Sequence, residues 1–312
     1  MKSRISELLN IEYPVIQGGM AWVADANLAA NVSKAGGIGF IGAANAPASW
    51  VREQIHIARE ITDKPVGVNI MLLSDYADEI AQVVVEEKVE AITTGAGNPG
   101  KYMAKWKDAG IKVMPVVASV ALARIMERSG ADAVIAEGME SGGHIGELTT
   151  MALVPQVASA VKIPVVAAGG IADGRGMAAA FMLGAEAVQM GTRFIVAKES
   201  TVSKEYKERV LKAKDIDTTI TGTTTGHPIR SLRNTLTREY QRLEKEGVGF
   251  EELERLTLGS LRKAVVCGDV KNGTVMAGQI SGLVAKEQTC SEIIEEIVKE
   301  AEDIIKSAYM RI

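Results

Sequence analysis

The chain has 312 residues, a formal net charge of −4 and a hydrophobic content of 47%, a length and composition that suit one large folded unit with its own core. The acidic balance argues against general nucleic-acid binding, and no window approaches the roughly 20 apolar residues of a membrane span. The N-terminal residues place charges on both sides of a short apolar run, unlike a signal peptide, so we expect a cytoplasmic protein with no membrane partner.

Eight short apolar runs recur along the first two thirds of the chain, and the segments between them carry helical periodicity. Runs that are apolar on both faces predict strands buried on both faces, which is typical of parallel strands surrounded by helices. Eight such units predict an α/β fold, a (β/α)8 TIM barrel, over residues 1–197. The runs are Tyr13–Gln17, Ile38–Gly42, Val66–Ile70, Ala91–Thr94, Val113–Val117, Ala133–Ala136, Pro164–Ala168 and Ala187–Met190.

A doubly wound open sheet is the alternative fold, but it would normally carry GxGxxG after its first strand, and Gln17-Gly18-Gly19-Met20 lacks that pattern. Nearly every run ends in a glycine or a polar residue. In a barrel these ends converge on one face, where the active site lies. They are Gly18-Gly19, Gly42, Asn69, Gly95–Gly97, Ser119, Glu137, Gly169-Gly170 and Gly191-Thr192.

The character of the sequence changes after Phe194. Residues 198–257 are rich in charge, and we interpret them as a helical insertion or cap carried on the barrel. Residues 258–312 become apolar and glycine-rich again, which indicates a segment that returns over the barrel mouth. An amphipathic helix is predicted over Ser291–Ile312, with a capping pattern formed by Thr289 and Glu292.

One glycine-rich loop, GMESGGHIGELTT at 138–150, follows the sixth run and contains His144. Its position after a buried strand is where α/β enzymes place catalytic groups. Glycines at 142, 143 and 146 would let the backbone approach a flat ligand closely. The alternative is a flexible loop whose histidine faces water.

Two later loops, after the seventh and eighth runs, have the composition of a phosphate site. Their donors would be the backbone N–H groups of Gly169, Gly170, Gly191 and Thr192, together with a helix N-terminus. Tight turns with no ligand explain the same glycines. A phosphate site alone does not distinguish sugar phosphates, nucleotides and flavin mononucleotide.

Several kinds of chemistry find no support in the sequence. The two cysteines, Cys267 and Cys290, lack metal-ligand spacing, so we expect free thiols, and no metal site is predicted. No GxSxG elbow occurs, and no lysine lies at the end of a strand. A flavin supplies its own redox chemistry and needs mainly position and electrostatics from the protein, which fits the sparse polar groups at the strand ends.

A series of motifs in the same order gives the chain a family resemblance over nearly its whole length. It resembles the FMN-dependent enoyl-acyl-carrier-protein reductase II of bacterial fatty-acid synthesis, within a wider family that contains nitronate monooxygenases. The motifs are QGGMAW at 17–22, GVNIML at 67–72, TTGAGNP at 93–99, AEGMESGGHIGELTT at 136–150, AAGGIADG at 167–174, MGTRFIVAKES at 190–200, DIDTTI at 215–220, GHPIRSLRN at 226–234 and GDVKNGTVMAGQISGLV at 268–284.

The resemblance implies a hydride relay from NADH or NADPH through FMN to a trans-2-enoyl thioester on acyl carrier protein. It implies His144 as the catalytic residue, acting as a donor or as electrostatic support for the developing enolate. It also implies a homodimer and stimulation by a monovalent cation, for which no residue is assigned. The residues expected to bind the cofactor are Gly18, Gly19, Met20, Asn45, Asn69, Glu137, Ser141, Gly142, Gly143, Ala168, Gly169, Gly170, Met190, Gly191 and Thr192.

Two other functions remain open at this point: a nitronate monooxygenase, in which His144 would take a proton from a nitroalkane, and a flavin-binding module without catalysis. His227 either helps to bind the nicotinamide or lies in a surface turn, whereas His56 is expected on an outer helix. Arg230, Arg233 and Arg238 either receive the phosphates of a pyridine nucleotide or an acidic carrier protein, or form a solvated helix face.

Overall fold

Eight parallel strands close into a barrel in the computed structural model, which describes residues 2–309. The predicted TIM barrel is confirmed, and each of the eight apolar runs overlaps a barrel strand to within two residues at either end. Around the barrel the strands follow chain order and close through a β1–β9 pair. They are β1 Val15–Gln17, β2 Ile38–Gly42, β3 Val66–Met71, β4 Ala91–Gly95, β5 Lys112–Val117, β6 Val134–Glu137, β8 Val165–Ala168 and β9 Ala187–Met190.

Three further strands form a separate small sheet in the order β10-β11-β7. They are β7 Gly143–His144, β10 Thr218–Thr221 and β11 Ile229–Leu232. The helices are α1 Arg4–Leu9, α2 Ala26–Lys34, α3 Ala48–Ile61, α4 Ala77–Glu86, α5 Gly100–Asp108, α6 Val120–Arg128, α7 Thr150–Ala160, α8 Gly174–Met182, α9 Thr192–Ile195, α10 Lys204–Leu211, α11 Thr235–Lys245, α12 Phe250–Thr257, α13 Ser260–Cys267 and α14 Cys290–Tyr309, with a 3-10 helix at Gln279–Leu283.

Helix α1 packs against the side chains that fill the inside of the barrel. Its Ile5 and Leu9 are buried together with Ala91 and Ala187, the first residues of β4 and β9. The helix therefore covers the end at which the strands begin. The opposite end, where the strands finish, carries the loops that TIM barrels use for catalysis.

The segment after the barrel contains β structure as well as helices. The predicted helical insertion at 198–257 holds α10, α11 and α12, but also β10 and β11, which pair antiparallel. Both strands are only four residues long, and threonines and a buried arginine replace the apolar runs that identify barrel strands. The proposed divisions at 197/198 and 257/258 remain predictions.

The last helix begins where the sequence predicts. The Thr289 N–H donates to Glu292 Oε2 at 2.7 Å and the Glu292 N–H donates to Thr289 Oγ1 at 3.2 Å, which is a reciprocal cap. The predicted continuation to residue 312 lies outside the described residues. Cys267 and Cys290 are both free thiols. Between residues 2 and 309, none of the helices has the length and apolar character needed to cross a bilayer.

Candidate functional site at the carboxyl ends of the barrel strands

The sequence-predicted site residues lie at one end of the barrel, on or just after the carboxyl ends of the strands. Strand pairing places Gln17 beside Met190, Gly42 beside Asn69, and Glu137 beside Ala168. The Gly18 N–H donates to the Met190 carbonyl at 3.0 Å and the Gly138 N–H donates to the Ala168 carbonyl at 2.9 Å. The loops from β1, β6, β8 and β9 therefore surround a common mouth.

The β1 loop packs directly on the end of β3. A Cβ on Gly19 would lie 2.1 Å from the Asn69 Cβ, so only glycine allows this approach. The Asn69 amide is in turn oriented by its neighbour on β4, since Nδ2 donates to Thr93 Oγ1 at 2.8 Å. Asn45, after β2, has a φ of 56° and an exposed side chain.

His144 lies on β7, a strand of two residues that pairs with β11 instead of joining the barrel. Gly143 pairs with Arg230 and His144 pairs with Ile229, while the Ile145 N–H donates to the Pro228 carbonyl at 3.1 Å. Gly143 has a φ of 82°, which glycine adopts without strain. Hydrogen bonds to the segment after the barrel hold the backbone at His144, while the His144 side chain is exposed, as the alternative of a histidine that faces water expects.

Two effects lower the pKa of His144 below its ordinary value. The larger is desolvation by the surrounding protein, and the smaller is the nearby His227. The His144 side chain nevertheless keeps an exposed face. The imidazole is therefore neutral at neutral pH, with one N–H donor and one acceptor nitrogen within reach of solvent or ligand.

Glu137, at the end of β6, and Ser141, in the loop that follows, are polar groups whose burial is only partly offset by hydrogen bonds. Burial raises the pKa of Glu137 to about 7, and the nearby Ser141 hydroxyl opposes part of that rise. The buried Ser141 Oγ has Glu137 as its nearby acceptor and no second hydrogen-bond partner within residues 2–309. Its remaining acceptor capacity leaves a place for a ligand atom or an ordered water.

The two predicted phosphate loops combine glycine turns with one hydroxyl. Gly169 and Gly170 have φ angles of 88° and 71°. Thr192 Oγ1 accepts a hydrogen bond from the Gly278 N–H at 2.9 Å, which leaves its own hydrogen free to donate. These groups follow β8 and β9, as expected from the sequence.

The helix that follows β8 does not offer its N-terminus to an anion. Asp173 caps α8 by accepting from the Gly176 N–H at 3.0 Å, and Glu300 of α14 accepts from the Gly174 N–H at 2.7 Å. Two carboxylates already occupy that end of the helix. The expectation that a helix N-terminus contributes to the site is therefore wrong for α8.

The sequence analysis missed Glu140, which connects the histidine loop to α7. Its carboxylate accepts from the Thr150 N–H at 2.9 Å and from Thr150 Oγ1 at 3.0 Å. Its backbone carbonyl accepts from the Gln279 N–H at 2.9 Å. Thr150 Oγ1 also lies 2.9 Å from the Gly169 carbonyl. Glu140 thus connects the histidine loop, the β8 loop and the C-terminal segment.

Arg230 differs from both interpretations given to the three arginines. It is on β11, it is only 4% exposed, and its Nε donates to the Met139 carbonyl at 3.1 Å. Its side chain therefore holds the histidine loop through the Met139 carbonyl. The expectation of a solvated helix face is wrong for Arg230. Arg233 and Arg238 are exposed. His227 is exposed, and its ring lies 6.1 Å from that of Phe250.

Comparison with known proteins agrees with this geometry. A family model described as nitronate monooxygenase matches residues 2–300. A solved structure of FabK from Thermotoga maritima is 52% identical over the whole of both chains, with a TM-score of 0.98. A probable nitronate monooxygenase of Staphylococcus saprophyticus is 34% identical, covering 98% of this chain and 99% of its own length.

Another relative, from Rhodococcus jostii, is a dehydrogenase of a hydroxy-methyl-oxo-octahydro-indene-carboxyl-CoA. It is 32% identical, and the match covers 96% of each chain. The relatives thus include both FabK and enzymes with other substrates. The chain belongs to the nitronate monooxygenase family, and it is an enzyme, one of the flavin-dependent oxidoreductases that this family contains.

Proposed function

We propose that this protein is an FMN-dependent enoyl-acyl-carrier-protein reductase that uses NADH or NADPH. The observation that carries the proposal is the similarity to FabK, which is 52% identical along the entire chain with a TM-score of 0.98. Identity to the probable nitronate monooxygenase is 34%. The match covers the whole chain, and so includes the segment that pairs with β7 and the surroundings of His144.

The residues at the barrel mouth fit FMN. A planar ring needs close backbone approach, which Gly143 allows, because a Cβ added there would meet nothing closer than Met276 Sδ at 3.5 Å. The space beside the glycines at 18–19 and 142 is filled by packed protein atoms instead. A phosphate needs N–H and O–H donors, and these are the turns at 169–170 and 191–192. The buried Ser141 Oγ, whose nearby partner in the described part of the chain is Glu137, keeps acceptor capacity for one more cofactor group. The other residues proposed to bind it are Met20, Asn45, Asn69, Glu137, Ala168 and Met190.

Bound FMN would supply the hydride chemistry between the nicotinamide and the β-carbon of the enoyl thioester. The work left to the chain is to hold the thioester and to stabilise the negative charge that develops on its carbonyl oxygen. A neutral His144 suits this role because its N–H can donate a hydrogen bond to that oxygen. Its exposed face leaves solvent access for the proton that the α-carbon requires.

A nitronate monooxygenase is the second candidate, favoured by the family model and the staphylococcal relative. The same neutral His144 would act there as a base, since its lowered pKa leaves a free nitrogen at neutral pH. The two functions share the site and differ in the substrate that reaches it. The finer proposals that follow from the reductase are an acyl-carrier-protein partner, monovalent-cation stimulation, a homodimer and a cytoplasmic location.

The test compares two reactions of the flavin-loaded protein. One assay follows oxidation of NADH or NADPH with crotonyl thioester, and the other follows oxygen consumption with an alkyl nitronate. The proposal expects crotonyl turnover to exceed nitronate turnover by at least about 10²-fold in kcat/KM, a typical separation between a substrate and a poor analogue. Faster turnover of the nitronate would support the second candidate.

A further inference from the structure

An arginine and a tryptophan meet at the barrel mouth and are not accounted for by the cofactor site. Trp22 follows the glycines of the β1 loop, has a φ of 65° and is 41% exposed. The Arg262 guanidinium carbon of α13 lies 5.4 Å from the centre of its ring. This distance is within the range of a cation–π contact, so the pair connects the β1 loop to the C-terminal segment.

Both partners are fixed by their backbones. The Val23 N–H donates to the Met20 carbonyl at 3.1 Å, which closes a turn around Trp22. On α13, Ala264 and Val265 are buried, and the Ser203 hydroxyl donates to the Ala264 carbonyl at 3.0 Å. The helix is thereby anchored on one side, and Arg262 extends from its exposed side.

The charge of Arg262 is not neutralised by a carboxylate. Its neighbour Lys263 forms an ion pair with Asp269 at 2.9 Å, whereas no ion pair to Arg262 occurs between residues 2 and 309. A guanidinium that lies against an indole still has donors along its edge. Their fork geometry matches the oxygens of a phosphate.

We propose that Arg262, held against Trp22, binds a phosphate group of a ligand that enters the barrel mouth. The inference rests on the proposed function, in which both incoming ligands carry phosphate: the pyridine dinucleotide and the phosphopantetheine thioester. The shared chemistry is a phosphate ester on a flexible arm, bound at the rim while the reacting end reaches the site. Arg262 is a specificity residue in this account and takes no part in hydride transfer.

The test uses substrate pairs that differ in phosphate. Flavin-loaded wild type, Arg262→Gln and Arg262→Lys are assayed with crotonyl-coenzyme A and with crotonyl-N-acetylcysteamine, which has no phosphate. The reductant is NADH or the phosphate-free N-benzyl dihydronicotinamide. Arg128→Gln is the matched control, because Arg128 is also exposed and ends α6 at the opposite face of the barrel.

Loss of a charge-assisted contact should raise KM about 10-fold for the phosphate-bearing ligand in Arg262→Gln and leave kcat within about twofold. Arg262→Lys keeps the charge but loses the forked donors of the guanidinium, so its KM should lie between those of wild type and Arg262→Gln. A higher KM for crotonyl-coenzyme A alone assigns the site to the thioester arm, and a higher KM for NADH alone assigns it to the dinucleotide. Equal KM changes with the phosphate-free partners, or no change at all, would overturn the inference.

A binding measurement separates this inference from the proposed function. Calorimetric titration of the flavin-loaded protein with ADP and with phosphopantetheine needs no turnover. Wild type should bind one of them at least about 10-fold more tightly than Arg262→Gln. If such binding is found in a protein that does not reduce crotonyl thioesters, the phosphate site stands and the reductase proposal fails. Equal binding by both proteins refutes the site, whichever substrate is turned over.

Discussion

Replacing Glu137 with glutamine should change how the stability of the flavin-free protein depends on pH. Burial raises the pKa of Glu137 from 4.5 to about 7 in the folded protein. A folded-state pKa above the unfolded value means that the unfolded chain loses this proton first as pH rises. The contribution of Glu137 to the free energy of unfolding of the wild type therefore falls between about pH 4.5 and about pH 7. Above that range this contribution no longer changes with pH.

Each tenfold change in proton affinity corresponds to about 1.4 kcal/mol, so the full effect would be about 3 kcal/mol. Because Glu137 retains partial contact with solvent, we expect about 2 kcal/mol. The Glu137→Gln variant has no ionisable group at this site. Its free energy of unfolding should therefore increase by this amount relative to that of the wild type when the pH is raised from about 4 to about 8.

The assay is urea unfolding of flavin-free wild type, Glu137→Gln and Glu147→Gln across that range. Glu147 is the control, since it lies in the same loop with an exposed side chain. The difference between wild type and variant cancels the titration of all other groups. A difference that stays constant with pH, or that changes equally in the control, would refute the argument that burial keeps Glu137 protonated.

Three further predictions concern His144 and Gly19. His144→Ala should retain bound flavin but lose about 10²-fold or more in crotonyl turnover, whereas His56→Ala, whose ring bonds Glu87 on the barrel exterior, should not. Because the pKa of His144 lies below the ordinary histidine value of 6.5 and its neutral form is the active one, wild-type turnover should fall on acidification below that ordinary value; an increase on acidification would contradict this role. Gly19→Ala places a Cβ 2.1 Å from that of Asn69. It should lower the free energy of unfolding by about 1–3 kcal/mol and reduce the flavin content, which is measured by absorbance. Gly95→Ala, at the end of β4 with no heavy atom within 4 Å of the added carbon, is its control, and equal flavin loss in both would remove the packing argument.

The barrel could be predicted because its signal is local. Each strand is a short apolar run, and the glycines and polar residues that end the strands stand next to those runs in the sequence. The positions of Gly19, Glu137, His144 and Gly169 at one end of the barrel follow once the strands are known. No long-range information is needed for that step.

The rest of the site depends on contacts between distant residues. Glu300 caps α8 from 126 positions away, and Glu140 caps α7 from a loop. Strand β7 has only two residues and exists because β11 pairs with it. The sequence around Arg230 does not distinguish a buried arginine from a surface one. Its burial follows only from the pairing of β11 with β7. The local sequence pattern does not record such long-range contacts, so the caps that Glu140 and Glu300 provide and the small sheet could not be derived from it.

Anaerobic stopped-flow absorbance tests the proposed function most directly. The flavin-loaded protein is bleached with one equivalent of NADH and then mixed with crotonyl thioester in the absence of oxygen. The account predicts that the flavin absorbance returns at a rate at least equal to kcat, with butyryl thioester as the product. If the absorbance stays bleached until oxygen is added, the enoyl reductase proposal is wrong and the monooxygenase takes its place.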